Sequence, residues 1–435
     1  MIRELKNGRR LASALCLATF GLFAIVHLAR GGRLAEAAPA ALINSVVHPG
    51  DASLSSALPR PPEPRWKSQL SWNRVREDRG GYLAVLHDGS RVELTLDPVM
   101  QHAVERALDG SPSPLAAAVV ISVDDGRVLA IAGRDAQAPG KNEVALALKP
   151  WAPAASVFKL VTSSALVERG VPADARVCYH DGVHSVEASN LTSNARWDRS
   201  CNTFAYGLAK SQNAIIARLA NDHLTGAILE RTAHALGFGE ALPFALPVTP
   251  SSAEVPRGRG LPFARVAAGF WQTTLSPLHG AWLAATIARG GVTPTLHLVD
   301  RVIARDGEVI EPHVAAARRV LPEEVARTVG HMMIGTTEFG TARHGFHDRK
   351  GRPVLPGVQV AGKTGSLDRK EGPFLAYSWF VGFAPAERPE VAVAVLLGNG
   401  MSWHKHAHQV AAEVLSDYFH GEGDHELPSR RVAAR

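Results

Sequence analysis

The sequence predicts an α+β domain, and two features of its pattern carry that prediction. Strand-like apolar runs stand near both ends of the folded region, at 116–123, 127–132, 358–362, 378–383 and 391–397, while 153–340 reads mostly as helix. Strands separated by a long helical middle must meet across the sequence to form one sheet. With 435 residues, of which 46% are hydrophobic and 20% charged, the chain has enough apolar material for such a core.

Residues 1–33 read as a basic stub followed by an anchor. Leu11 to Ala29 is apolar apart from Ser13, Thr19 and His27, and it follows Arg3, Lys6, Arg9 and Arg10. A run of that length spans a bilayer as a transmembrane helix. Its positive flank then puts the N-terminus in the cytoplasm and the rest of the chain outside. A cleaved signal peptide is the alternative, because Ala35-Glu36-Ala37 resembles a cleavage site. The net charge of +6 is concentrated in this stub, where six basic residues face only Glu4. No basic groove remains for phosphates, so nucleic acid is excluded as an expected partner.

Residues 34–65, rich in Ala, Pro and Ser, read as an extended linker. Residues 66–93 read as a small β segment with a hairpin around His87-Asp88-Gly89-Ser90. The main domain is expected over 94–420. It opens with a helix from Pro98 to Leu108 and a hairpin turning at Asp124-Asp125-Gly126, and it closes with a helix from His406 to Phe419. The polar tail 421–435 is expected to be disordered. Cys16 lies in the apolar run, which leaves Cys178 and Cys201 to form a disulfide in an exported domain.

Three short motifs carry the chemistry. Ser156-Val157-Phe158-Lys159 opens a helical segment, where residues three apart share a face. Such a lysine accepts the serine proton only if its pKa falls from ~10.4 toward ~7 to 8, by burial or a neighbouring cation. Ser402-Trp403-His404-Lys405 has the same spacing but no helix start of its own. Lys363-Thr364-Gly365 ends the run 358–362, and offers a cation, a hydroxyl and an unobstructed backbone to a substrate lying along the strand. The pattern S-x-N occurs at Ser71, Ser200 and Ser211. Ser211-Gln212-Asn213 is preferred because it falls between two helical runs, as a turn facing a cleft would.

In that order and context the motifs resemble the penicillin-binding protein and serine β-lactamase superfamily. Leu94 to Gln101, Val120 to Ala132, Leu275-Ser276-Pro277-Leu278, Gly340-Thr341-Ala342 and Trp379 to Pro385 look like the transpeptidase domain of penicillin-binding proteins. The resemblance implies an antiparallel sheet flanked by helices, with an all-helical subdomain. It also implies a serine-type peptidoglycan D,D-transpeptidase on the outer face of a bacterial cytoplasmic membrane. Ser156 would attack the D-Ala-D-Ala carbonyl, Lys159 would be the base, and Ser211 would pass a proton to the leaving D-alanine. Asn213 would hold the substrate amide, and Lys363 and Thr364, beside Gly365, would bind its carboxylate. The N–H groups of Ser156 and Ser366 would form the oxyanion hole. Stem peptides and β-lactam antibiotics are the implied ligands, and an enzyme that polymerises glycan strands is an implied partner.

A D,D-carboxypeptidase shares the acylation half-reaction, so the motifs leave it open, as they do a silent scaffold or β-lactam sensor. The ~60 residues between Ala29 and Leu94 are too few for a glycosyltransferase domain, so a bifunctional enzyme is not expected. No Glu-x-x-Leu-Asn stretch supplies the deacylating glutamate of class A β-lactamases. His404, His406 and His408 alternate without sharing a helical face and without a carboxylate, so neither a metal nor a cofactor is expected.

Overall fold

The computed structural model describes residues 64–140, 143–369, 371–401 and 405–421. The predicted anchor, nearly all of the linker, the polar tail beyond Gly421 and Ser402, Trp403 and His404 of the second S-x-x-K match lie outside these residues. Among the described residues no helix is long and apolar enough to cross a membrane.

The central sheet has five antiparallel strands: β1 (Leu115–Ser122), β2 (Val128–Asp135), β3 (Ala361–Asp368), β4 (Ala376–Ala384) and β5 (Val391–Asn399). Their spatial order is β3-β4-β5-β1-β2, so the C-terminal strands meet the N-terminal hairpin through β5 and β1. The sheet does close across the sequence. β4 and β5 are buried at every position, because helices cover both faces.

Alternate side chains divide between those faces, as the two-residue repeat of a strand requires. On one face Val119, Trp379, Val381 and Ala394 pack with Leu160, Leu278, Ala281 and Val329. These helical residues come from α2 (Lys159–Glu168), α4 (Pro277–Ala288) and α5 (Glu323–Glu338). On the other face Val120, Phe380, Val393 and Val395 pack with Met100, Val104, Val410 and Val414, from α1 (Pro98–Asp109) and α7 (Ala407–His420). Each such fully buried aliphatic side chain stabilises the fold by about 1.5–3 kcal/mol. Gly280 lets α4 lie close on the sheet, since a Cβ there would be 3.1 Å from Val381 Cγ2.

Two expectations need correction. The strand expected at 358–362 begins at Ala361 and runs through Asp368, so Lys363, Thr364, Gly365 and Ser366 lie within it rather than beyond its end. Its polar residues hid it. The ladder to apolar β4 holds all eight positions. The segment 66–93 is also not a separate unit. Its strands, Val75–Asp78, Gly81–Val85 and Arg91–Leu94, are completed into a five-stranded sheet by Val299–Ile303 and Val309–Ile310.

Candidate active site

Ser156 stands where a short strand, Ala152–Pro153, turns into a 3₁₀ turn at Ala155–Phe158 that leads into α2. In 3₁₀ geometry residues i and i+3 eclipse each other. Lys159 is therefore brought directly onto Ser156, with Nζ 2.6 Å from the serine Oγ. The turn is sharp, and Ala155 has φ of +50°. A left-handed non-glycine residue costs roughly 1–2 kcal/mol, which the complete burial of Val157 and Phe158 offsets. The Trp379 indole N–H donates to Pro153 O at 2.9 Å, tying this turn to β4.

Lys159 is fully buried. Its other neighbours are Asn213 Oδ1 and Ala268 O, both 2.7 Å from Nζ. A neutral amine has two N–H donors and one lone pair. Those three neighbours satisfy it if it donates to the two carbonyl oxygens and accepts from the serine hydroxyl. Burial first, and then the nearby charge of Lys363, push the Lys159 pKa well below the ordinary lysine value. The neutral form is the one that can take a proton from Ser156.

Asn213 is the first residue of α3 (Asn213–His223), and Ser211 forms the turn between that helix and Phe204–Ala209. Ser211 has φ of +54°, held by a bond from Gln212 N–H to Gly207 O at 2.8 Å. The Asn213 side-chain N–H₂ donates to Val183 O at 2.7 Å, so both ends of its amide are held by protein. Lys363 is also fully buried, and its Nζ donates to Ser211 Oγ at 3.0 Å and to Thr364 O at 2.8 Å. Burial lowers its pKa to about 7. Its Nζ supports Ser211 from the buried side, while Thr364, Gly365 and Ser366 line the cavity. The Thr364 hydroxyl is hydrogen-bonded to that of Thr341. Gly365 lets β3 pass close to the nucleophile turn, since a Cβ there would be 3.3 Å from Ala154 O.

The cavity has a volume of about 450 Å³ and contains Ser156, Ser211, Asn213, Thr364, Gly365 and Ser366 together. The remaining S-x-N matches are elsewhere. Ser71 precedes a 3₁₀ turn at Trp72–Arg74, and Asn202 donates to the Tyr179 hydroxyl at 3.0 Å.

The family model of the penicillin binding protein transpeptidase domain matches residues 116–420. The chain belongs to this family. Peptidoglycan D,D-transpeptidase PbpA of Mycobacterium tuberculosis is 27% identical over 346 residues, which are 72% of this chain and 68% of that protein. Peptidoglycan D,D-transpeptidase FtsI of Escherichia coli K12 is 26% identical over 369 residues, 78% of this chain and 58% of that one. Among solved structures, the imipenem acyl-enzyme complex of penicillin-binding protein A from M. tuberculosis superposes with a TM-score of 0.63. It is 25% identical, and the match covers 76% of this chain and 80% of that one.

Cys178 and Cys201 are joined in a disulfide between paired strands Arg176–Tyr179 and Ser200–Thr203 of this transpeptidase domain. The chain after the first strand becomes the cavity wall at Val183 and His184. Other members of the site escaped the sequence reading. Ala268 O and Val183 O are backbone groups without a residue signature. Thr341 stood in a stretch noticed only for its resemblance. His406 and His408, considered in the sequence only as metal ligands, stack with ring centroids 5.2 Å apart, with His406 at the N-cap of α7. Among the described residues no cluster of His, Cys, Asp or Glu has the arrangement of a metal site.

Proposed function

We propose that the chain is a peptidoglycan D,D-transpeptidase that forms an acyl-enzyme at Ser156. The observation that carries this reading is the Lys159 amine, buried with no carboxylate partner among the described residues and 2.6 Å from Ser156 Oγ. Ser156 Oγ attacks the penultimate D-alanine carbonyl while Lys159 takes its proton. Backbone N–H groups of Ser156 and Ser366 receive the developing oxyanion, a contribution of about 3–4 kcal/mol per donor in comparable acyl transfers.

The terminal D-alanine leaves as an amine, protonated by Ser211, whose hydroxyl is held by the Lys363 ammonium. Lys363 and Thr364 bind the terminal carboxylate, and Gly365 gives the substrate backbone room. An acceptor amine then takes the acyl group and the cross-link forms. A β-lactam, with its strained amide and carboxylate, enters by the same acylation step. The domain works outside the cytoplasmic membrane, tethered through Leu11–Ala29, beside a partner that polymerises glycan strands. That placement rests on the sequence of the anchor and the basic residues before it.

The test is labelling with a fluorescent penicillin followed by peptide mapping. The label should map to Ser156 and vanish in Ser156→Ala. Labelling that persists in that variant would place the nucleophile elsewhere.

A further inference from the structure

The α7 end of the cavity holds more polar chemistry than acylation uses. Thr364 and Ser366, two apart on β3, face the same side, and Ser366 is paired across the ladder with Ser378. Ser378 Oγ accepts the Ala407 N–H at 3.0 Å, which joins the sheet to the first turn of α7. On the neighbouring helix α6 (Arg343–Phe346), Gly345 lets the two elements touch, since a Cβ there would be 2.5 Å from His408 Cδ2. His344, His406 and His408 thus line the same cavity as Ser156. His408 is only 8% exposed, and among the described residues its imidazole makes no hydrogen bond. The ring lines the cavity beside His344 and His406, so a carboxylate entering there meets imidazole groups from three residues. The start of the fourteen-residue helix α7 adds partial positive charge at the same place.

Resting on the transpeptidase reading, the inference concerns the amine that enters. The departing D-alanine is an amine with a carboxylate on the adjacent carbon, and its replacement must attack from the position it vacates. We propose that His344, His406 and His408, with Ser366 and Ser378, recognise a carboxylate carried beside the attacking amine. The acceptor is then an amino acid centre with a free α-carboxylate rather than its amide. In the transfer the ester between Ser156 Oγ and the acyl carbon breaks, the amide forms, and the amine proton passes to Ser156 Oγ. No further reactant is needed.

The same carboxylate chemistry occurs in the departing D-alanine and in the acceptor, and two measurements on the detergent-solubilised full chain separate them. The first is acyl transfer from a thioester stem-peptide analogue to D-alanine or to D-alaninamide. The second is the rate of acylation by benzylpenicillin. The native protein should use D-alanine at least about tenfold better than D-alaninamide, the scale of one hydrogen bond to a charged group. His344→Gln and His406→Gln should bring the two acceptors near parity while benzylpenicillin acylation stays within about twofold. Because His406 also caps α7, His344→Gln carries the test if His406→Gln does not fold. Equal use of both acceptors by the native protein, or a preference kept in the variants, overturns the inference. So does a matching fall in benzylpenicillin acylation, which assigns the cluster to the departing carboxylate. Failure of the native protein to react with benzylpenicillin at all would instead sink the transpeptidase reading.

Discussion

Gly269→Ala should disable the nucleophile by displacing the backbone that carries it. Gly269 has φ of +88°, and a Cβ there would lie 2.1 Å from Ala155 O and 3.1 Å from Ser156 N. A carbon and a carbonyl oxygen approach to about 3.3 Å in ordinary weak contacts, so one backbone must give way by roughly 1 Å. The strained turn at Ala155 is the adjacent element. A 1 Å misplacement in an active site costs about a hundredfold in rate, and the left-handed alanine itself costs about 1–2 kcal/mol of stability. The control is Gly239→Ala, where φ is +90° but nothing lies within 4 Å of the new Cβ. Thermal unfolding should show the cost of a left-handed alanine alone in Gly239→Ala, and a larger loss in Gly269→Ala, where the clash adds to it. Only Gly269→Ala should slow penicillin acylation about a hundredfold in stopped-flow fluorescence. Acylation by Gly269→Ala within threefold of the native rate would refute the idea that this contact sets the position of Ser156.

Lys159→Ala should slow acylation by about 10²–10⁴, the usual worth of a general base, while non-covalent penicillin binding measured by rapid competition persists. Lys363→Met removes the cation that helps to depress Lys159, so the Lys159 pKa should rise and the acidic limb of the acylation pH profile should move to higher pH. A limb that stays in place would mean that another group titrates. Reduction of Cys178–Cys201 should destabilise the domain by about 3 kcal/mol in denaturant titrations. It should also slow acylation, because the bridged strands lead to Val183, whose carbonyl holds Asn213. His279 is buried with Nε2 2.7 Å from Leu236 O, and burial lowers its pKa to about 4 from 6.5. The unfolded chain takes up that proton first, so this stabilisation is complete above about pH 6.5 and declines by about 3 kcal/mol as pH falls to 4. His279→Gln should make urea-unfolding stability less steep over that window, with the slope due to His408, similarly lowered to about 4, remaining.

The parts of this site legible in the sequence are those fixed by local spacing. Ser156 and Lys159 meet because three residues make one turn, and any sequence reader knows that separation. The Asp124-Asp125-Gly126 turn between apolar runs likewise announces β1 and β2. Other parts arise only when distant segments pack. Ala268 O reaches Lys159 across 109 residues of chain, and Thr337 Oγ donates to Val360 O behind β3. A carbonyl oxygen carries no residue identity, so no pattern could name it. β3 was misplaced for a related reason. Its strand character is conferred by the partner β4, not by its own polar residues. His406 and His408 were weighed only as metal ligands, and their place in the cavity wall depends on how α7 packs against β4, which local spacing does not show.

The buried cations of this chain follow two different rules, and the difference marks the site. Arg218, 5% exposed, sits against Asp198, with Nη1 and Oδ2 2.8 Å apart, and donates also to Asn190 O. Its charge is answered, and the Asp198 carboxyl in turn is held far below its usual range, first by the hydrogen bond from Arg218. That is the structural solution to burying charge. Lys159 and Lys363 are buried more completely, yet their hydrogen-bonding partners are hydroxyls, an amide oxygen and backbone carbonyls. A carboxylate beside Lys159 would hold the proton on nitrogen and silence it as a base. Neutral acceptors leave burial and the second lysine free to drive the proton off, which a fold would not tolerate for stability alone. The pairing of a displaced lysine pKa with a serine hydroxyl in contact is therefore better explained by acyl transfer than by packing.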